Sequence, residues 1–302
     1  MNILLIAGGW SAERDVSLRG AEQIEAALRR LGHKVRRFDP EAGLEGLFAA
    51  AQGHDFAFLN LHGSPGEDGL IQAMLETIPL PYQGARPHGS LLALDKAAAK
   101  AMYVQAGLTT PAWELLPAPH STSWRPRLPY PLVLKPNRGG SSIGVVFAHN
   151  EKELLRALAD PTLACLDLVA EVCIHGQELT CGVLEGYTLP PILIRPKAGK
   201  FFDYTSKYVP GASEEICPAP IGGSLTAQIH DMAAAAHRAL GLADYSRSDF
   251  ILDETGRLWL LETNTLPGMT ATSLLPQEAQ AVGLSFEDLL EELIRLGLRK
   301  TH

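Results

Sequence analysis

Two short polar stretches near the carboxyl end, Arg247-Ser248-Asp249 and Glu262-Thr263-Asn264, carry the clearest chemistry in this sequence. Between them, Phe250–Leu252 and Leu258–Leu261 flank Asp253-Glu254-Thr255-Gly256, the pattern of two strands and a turn. With Thr255-Gly256 as a two-residue turn, Asp249 falls opposite Glu262, and Asn264 shares a face with Glu262. Two carboxylates and an amide oxygen then meet at the open end of the hairpin. This register puts Phe250, Leu252, Trp259 and Leu261 on one face, and Ile251, Leu258 and Leu260 on the other. Acids beside such apolar faces repel each other and are costly unless a cation compensates. Hard oxygen ligands of this kind suit Mg²⁺ together with substrate phosphates. The same residues also read as solvated acids at a hairpin end, so the pattern alone leaves both open.

A second signal runs from Lys135 through Pro136-Asn137-Arg138-Gly139-Gly140-Ser141-Ser142-Ile143 to Gly144. Its glycines and serines let amides and hydroxyls wrap a polyphosphate while Lys135 supplies charge, although a flexible hairpin loop has the same composition. The order GxxxxGK[ST] is absent, so it is not a Walker loop. A third, His62-Gly63-Ser64-Pro65-Gly66-Glu67-Asp68-Gly69, reads as a tight turn after a strand, with Glu67 and Asp68 in a capping role for the next helix and His62 facing a substrate or a structural partner. Gly8-Gly9-Trp10-Ser11-Ala12-Glu13 lacks the GxGxxG order of a dinucleotide site, and Glu13 there either pairs with a ligand amine or is solvated. The polar and aromatic run from Phe202 to Gly211 suits a loop that closes over a site and excludes water. Lys96, Lys135 and Lys207 are each candidates for phosphate contact.

The elements that must position these residues begin as an α/β layer. Asn2–Ala7, Lys34–Phe38 and Phe56–Leu61 read as strands, alternating with helices over Ser17–Leu31, Leu44–Ala51 and Leu70–Ile78. That alternation implies parallel pairing, with ligands beyond the carboxyl ends of the strands, where Gly8-Gly9 and His62-Gly63 lie. Next come one helix over Ser90–Ala106, a proline-rich loop over Leu116–Pro131, and strands over Leu132–Lys135 and Ile143–Ala148. A helix over Glu151–Ala159 and strands over Leu166–Ile174 and Glu178–Leu184 follow. Helices over Ser224–Leu240 and Phe286–Leu296 flank the hairpin. The chain has 302 residues, which suggests two or three domains. At 46% hydrophobic and 20% charged it is not a disordered chain. A formal charge of −8 argues against a nucleic-acid or anionic-membrane binder. No apolar run is long enough to span a bilayer, and the amino terminus enters a strand without a leader pattern, so the expected location is cytoplasmic. Cys165, Cys173, Cys181 and Cys217 form no CxxC pair and read as buried thiols.

Taken together, these segments resemble the D-alanine–D-alanine ligase family of the ATP-grasp superfamily. The resemblance is carried by Ser11-Ala12-Glu13, by HGSPGEDGLIQA from His62, by LDK ending at Lys96, and by KP…GGSSIG from Lys135. DYTSKY ending at Tyr208 and R-S-D…LETNTLPGMTATSL ending at Leu274 complete it, in the family's order. It implies a three-domain ATP-grasp fold, mixing α/β and α+β parts: a parallel α/β substrate-binding domain over 1–90, a central subdomain over 91–178, and a carboxy-terminal subdomain over 179–302. The implied reaction is ATP-dependent joining of two D-alanines through an acyl phosphate, for peptidoglycan precursors.

By that resemblance, Lys96, Lys135 and Lys207 contact ATP phosphates under a loop containing Ser141 and Ser142. Glu171, Val172 and Ile174 belong to the hinge that holds adenine, and Glu178 binds the ribose. Asp249, Glu262 and Asn264 hold two Mg²⁺, with Mn²⁺ as a substitute. Glu13, linked to Ser141 and Tyr208, anchors the first D-alanine near His62; Arg247 and the Gly268 amide stabilise the oxyanion; Ser273 and Leu274 bind the second carboxylate. A homodimer is implied as well. The sequence departs from the family's usual residues at Val172, Gly139, Ser248, Thr263 and Thr272, which bears on nucleotide affinity and second-substrate preference. Two other functions stay in view: a ligase joining D-alanine to D-lactate or D-serine, and a nucleotide-binding regulator without catalysis.

Overall fold

The computed structural model describes residues 1–121, 124–196 and 213–300. Its first sheet is parallel, with strand order β2-β1-β3, from β1 (Asn2–Ala7), β2 (Lys34–Phe38) and β3 (Phe56–Asn60). β1 and β3 are unbroken apolar runs because both faces are covered, as parallel strands require. α1 (Arg14–Arg30) buries Val16, Ile24, Ala27 and Leu28 on this sheet. Gly8 and His62 follow β1 and β3, as the strand-end argument anticipates.

The second sheet is antiparallel, in the order β4-β7-β5-β6. Its strands are β4 (Trp113–Leu116), β5 (Leu132–Pro136), β6 (Val146–Ala148) and β7 (Leu168–Val172). β4 is not anticipated by the sequence reading, which leaves that segment unassigned. The third sheet runs β11-β10-β8-β12-β13, from β8 (Gly176–Leu184), β10 (Ile192–Pro196), β11 (Ser213–Ile216), β12 (Tyr245–Asp253) and β13 (Leu258–Asn264), with β9 (Tyr187–Thr188) paired to β8. A helix over Gly223–Ala239 covers it, burying Ile229, Ala233 and Ala236 in the core that includes Phe250, Leu258 and Leu260.

Three expectations are corrected. The single helix over Ser90–Ala106 is two, Pro87–Leu94 and Lys96–Gln105. Asp95 breaks it: its backbone is extended, and its side chain accepts from Ala98 N as the cap of the second helix. The hairpin faces also differ. Phe250 pairs with Leu260 and Ile251 with Trp259, so Phe250, Leu252, Leu258 and Leu260 share a face. The turn is Glu254-Thr255-Gly256, three residues closed by Asp253 N to Arg257 O. A bulge between Asp249 and Phe250 leaves Leu261 unpaired and restores Asp249 opposite Glu262. The acidic pair therefore forms as expected, but through two compensating offsets. Lastly, Cys165 is exposed and Cys217 only half-buried; all four thiols are free.

The chain ends where it began. A helix over Leu274–Ala281, not anticipated, and one over Phe286–Arg299 bury Leu275, Ala279, Leu289, Leu293 and Ile294 in the core of the first sheet. Ser285 and Asp288 form a capping box at the start of the last helix. Arg30–Glu287 and His33–Glu291 contacts tie that helix to the first layer.

Candidate active site

Two adjoining cavities share Lys96, Gly139, Gly140 and Glu262 as a common border. The first, about 190 Å³, lies between the second and third sheets. Val133, Ile143, Val145, Phe147, Val172, Cys173, Ile174, Ile251 and Leu261 line its apolar part; Lys135, Glu171, Glu178, Asp249 and Glu262 line its polar part. Cys173 and Ile174 lead from β7 of the second sheet to β8 of the third, so the hinge forms one wall. Every nucleotide residue proposed from the sequence lines this cavity except Lys207, which lies outside the described residues, as does the whole 202–211 loop with Tyr208.

Lys96 reaches the border because Asp95 starts a new helix there. Asn137 fixes that start, its carbonyl accepting from Lys96 N at 3.0 Å and its side-chain oxygen from Ala97 N at 2.9 Å. The Lys96 ammonium donates to Gly139 O and stands 3.6 Å from Glu262. The glycine-serine loop thus grips the helix whose lysine it surrounds. Ser141 and Ser142 both have positive φ, 51° and 59°, so the loop holds two non-glycine residues in left-handed backbone.

Behind Lys135 sits a carboxylate between two lysines. Glu171, 2% exposed, faces Lys100 at 2.8 Å and is also ion-paired with Lys135. Burial pushes its carboxyl up, but the two ammonium groups outweigh burial and hold it down at about 2. Burial lowers the Lys100 ammonium, which has Glu171 and the Thr110 hydroxyl as partners. Lys135 keeps its proton: burial disfavours the charge, and Glu171 and Glu262 more than compensate. One positive charge is left over beside the nucleotide cavity.

Asp249 and Glu262 lie directly opposite across the β12–β13 ladder, and both face the first cavity. Asp249 accepts from Thr180 Oγ1 at 2.7 Å and from both arms of Arg247 at 2.9 Å. Asn264 lines the second cavity beside Glu262. Among the described residues no group of three His, Cys, Asp or Glu side chains could by itself hold a metal ion. Two carboxylates and one amide oxygen suit a hard divalent cation that takes its remaining ligands from phosphate and water.

The second cavity is larger, about 400 Å³, and more polar. It brings together Glu13, His62, Ser141, Arg247, Asn264, Gly268, Ser273 and Leu274 from segments spread over the whole chain. The Ser141 hydroxyl donates to Glu13. The loop backbone runs close to this carboxylate, since a Cβ built on Gly140 would stand 2.8 Å from Glu13 Oε2. Burial lowers His62, with Arg247 adding to the effect and Glu13 opposing it. Ser273 is the N-cap of the Leu274–Ala281 helix and makes no side-chain cap hydrogen bond, and helix starts are suited to anions.

Some polar residues of the site escape the sequence reading. Glu67 is read there with Asp68 as a capping residue, but it accepts from Gly63 N, within the turn, at 2.8 Å. It also lines the second cavity, where burial and Glu13 push its carboxyl up to about 8. Asp68 accepts from Leu70 N at 3.0 Å in a local turn, but the N-cap of the Leu70–Glu76 helix is Gly69, in left-handed backbone, so Asp68 is not the cap expected of it. Lys100 stands four residues after Lys96, one helical turn on, and that spacing was its signal. Thr180 offered none.

Residues 101–295 match the family described as "D-ala D-ala ligase C-terminus". A curated D-alanine–D-alanine ligase of Oleidesulfovibrio alaskensis is 59% identical over 298 residues, 99% of this chain and 97% of that one. One from Nitratidesulfovibrio vulgaris (strain DP4) is 56% identical over 298 residues, 99% and 98% of the two chains. Among solved structures, the Bacillus anthracis D-alanine–D-alanine ligase complexed with ATP aligns with TM-score 0.87 at 32% identity, covering 99% of this chain and 98% of that one.

Proposed function

Because the chain belongs to the D-alanine–D-alanine ligase family, we propose that its two adjoining cavities divide the work of one ligation, ATP in the first and two D-alanines in the second. The protein is an ATP-dependent D-alanine–D-alanine ligase that forms a peptidoglycan building block. The observation that carries the division is the shared border at Lys96, Gly139, Gly140 and Glu262. A phosphoryl group leaving the nucleotide at that border is next to the carboxylate of a D-alanine whose ammonium Glu13 holds.

A carboxylate is a poor electrophile, so ATP first converts it to an acyl phosphate. Adenine packs between Val133, Phe147, Ile174 and Ile251 along the hinge 171–174, with Glu178 at the ribose. Lys135, made the surplus charge of its triplet by Glu171, faces the phosphates with Lys96, and Lys207 joins them from the segment outside the described residues. Asp249, Glu262 and Asn264 would hold the two Mg²⁺, or Mn²⁺ in their place, which neutralise charge on the phosphates when bound. Glu13 holds the ammonium of the first D-alanine, and Ser141 fixes Glu13; Tyr208 belongs to the same group by resemblance. His62, kept neutral by burial, lies at the same end. The start of the Leu274–Ala281 helix, with Ser273, receives the carboxylate of the second D-alanine. The amine of that molecule attacks the acyl phosphate, and Arg247 with the Gly268 amide faces the oxyanion. One such donor lowers the barrier by about 2.7–4 kcal/mol.

The parallel layer forms the first-substrate domain and the other two sheets the two ATP-grasp subdomains, near boundaries 1–90, 91–178 and 179–302, with the last two helices of the third range packed back on the first layer. No helix among the described residues is long and apolar enough to cross a membrane. We place the enzyme in the cytoplasm as a homodimer that does not bind nucleic acid. Phosphate release should require D-alanine, ATP and Mg²⁺ together. Turnover with L-alanine equal to that with D-alanine would overturn the reading, and preference for D-lactate over D-alanine would change the second substrate.

A further inference from the structure

On the ladder between β12 and β8, Arg247 pairs with Gly182 and Asp249 with Thr180. Directly opposed residues point to the same face. That face therefore carries the Arg247 guanidinium, the Asp249 carboxylate and the Thr180 hydroxyl side by side, with a gap where Gly182 has no side chain. The gap is filled from the Leu274–Ala281 helix. A Cβ built on Gly182 would fall on Glu278 Oε2 and on Leu275. The Glu278 carboxyl thus takes the place of the missing cross-strand neighbour of Arg247.

Glu278 is fully buried, and among the described residues neither of its oxygens has a hydrogen-bond partner. Burial raises its carboxyl well above the usual range; Arg247 opposes this, Asp249 adds to it, and the Gly182 amide favours the charged form without completing a hydrogen bond. An idle acid in a core is costly, and an apolar side chain of the same length would be cheaper. Arg247, meanwhile, spends Nε and one terminal nitrogen on the two oxygens of Asp249. With Thr180 on one of them as well, the Asp249 carboxylate is heavily engaged. An Asp249 that turns to a cation must loosen this grip, and Arg247 then needs another acceptor.

We infer that Glu278 is a positioning residue for Arg247: it accepts the guanidinium hydrogen bonds that Asp249 gives up when nucleotide and cation arrive, and keeps the arginine aimed at the second cavity. The inference rests on the roles proposed above for Asp249 and Arg247. It gives the start of the Leu274–Ala281 helix two functions one turn apart, receiving a carboxylate at Ser273 and steadying the oxyanion donor at Glu278.

Glu278→Met removes the acceptor while keeping length and burial. The unfolding midpoint should stay level or rise, and KM for ATP should stay within about twofold. The turnover number at saturating substrates should fall by about tenfold or more, the usual loss on removing a supporting partner. Glu278→Gln, which keeps one acceptor oxygen, should recover most of that loss. A Met variant with parental turnover and KM for D-alanine overturns the inference. So does one whose midpoint and ATP affinity fall in step with its turnover, since that marks a purely structural carboxyl. If the parent itself releases no phosphate with D-alanine, the reading of the site fails first, and the inference with it.

Discussion

Two buried charge triplets border the nucleotide cavity and balance their charges in opposite senses. Lys100–Glu171–Lys135 places one acid between two bases; Glu278–Arg247–Asp249 places one base beside two acids. In the first, both outer members touch the centre, and the triplet is closed with one positive charge in excess. In the second, only Asp249 holds the centre, at 2.9 Å, and Glu278 stands without a hydrogen bond. The closed triplet can only present charge, which suits a phosphate chain that arrives as an anion. The open one has a spare acceptor, so its central base can stay held while one acid turns to another ligand. Glu171 is buried and Arg247 partly exposed, but the larger difference lies in how many partners each centre uses.

The largest effect is expected from breaking the closed triplet at its centre. Glu171→Ala leaves Lys100 and Lys135 side by side with no counter-charge, which should cost about 3–5 kcal/mol of stability. Urea unfolding checks this, and a loss under about 1 kcal/mol would mean that the triplet is not closed in solution. The pH dependence has a definite sign. The Glu171 carboxyl titrates at about 2 when folded, against 4.5 for a free glutamate, so its contribution is complete above pH 4.5 and drains away as pH falls toward 2. The variant should therefore lose less stability than the parent over that acid range.

Glu262→Gln tests the acidic end of the comparison. Its side chain is about one third exposed and 3.6 Å from Lys96, so little folding energy depends on it. Turnover should fall by about two to three orders of magnitude as cation binding weakens, with an unfolding midpoint close to that of the parent. A turnover loss of only a few-fold, measured as phosphate release, would take Glu262 out of the cation site.

How much of this was legible beforehand depended on whether a signal is local. The Asp249–Glu262 pairing could be read because strand alternation fixes which residues share a face, although a longer turn and a bulge reach it by a different route. Lys96 was singled out as a candidate phosphate contact and does line both cavities, but the helix break that aims it was missed, because Asp95 reads equally as a helix residue or a cap. The parallel layer was readable from periodicity. The return of the last helices to that layer was not, since an apolar stripe reveals a face and not its partner. Glu278 and Lys100 stayed hidden for the same reason. Glu278 has no local signal and Lys100 only its spacing from Lys96, and it is the distant strand each meets that tells it apart from a solvated helix residue.

Glu67 sharpens the comparison from a third position. It is a buried acid with a backbone amide for a partner and no directly paired base. Its carboxyl is raised to about 8 by burial and by Glu13, so the folded protein binds this proton more tightly than the unfolded chain. Stability should fall as pH rises from 4.5 toward 8 and level off above that. Glu67→Gln keeps an oxygen for the Gly63 amide and has nothing to titrate. Its stability relative to the parent should improve by about 1–2 kcal/mol between pH 5 and pH 8, a cautious reading of the linkage. A difference that stays constant from pH 5 to pH 9 would show that Glu67 is already ionised at the acid end and that Glu13 does not hold its proton.

The smallest effect probes the grip on Asp249 from its other side. Thr180 donates to Asp249 Oδ1 at 2.7 Å, so Asp249, like Glu171, is held by two donors. Thr180→Val keeps the shape and removes one of them, which should cost about 1–2 kcal/mol of stability, the usual value for a hydrogen bond to a charged group. Arg247 is then the sole side chain holding the carboxylate, and Asp249 should turn toward a cation more easily but less accurately. The expected signature is a severalfold change in the Mg²⁺ concentration that half-saturates phosphate release, with little change in KM for D-alanine. A stability loss with an unchanged Mg²⁺ response would mean that Arg247 alone sets the position of Asp249. The open triplet would then have one adjustable contact, the one that Glu278 stands ready to replace.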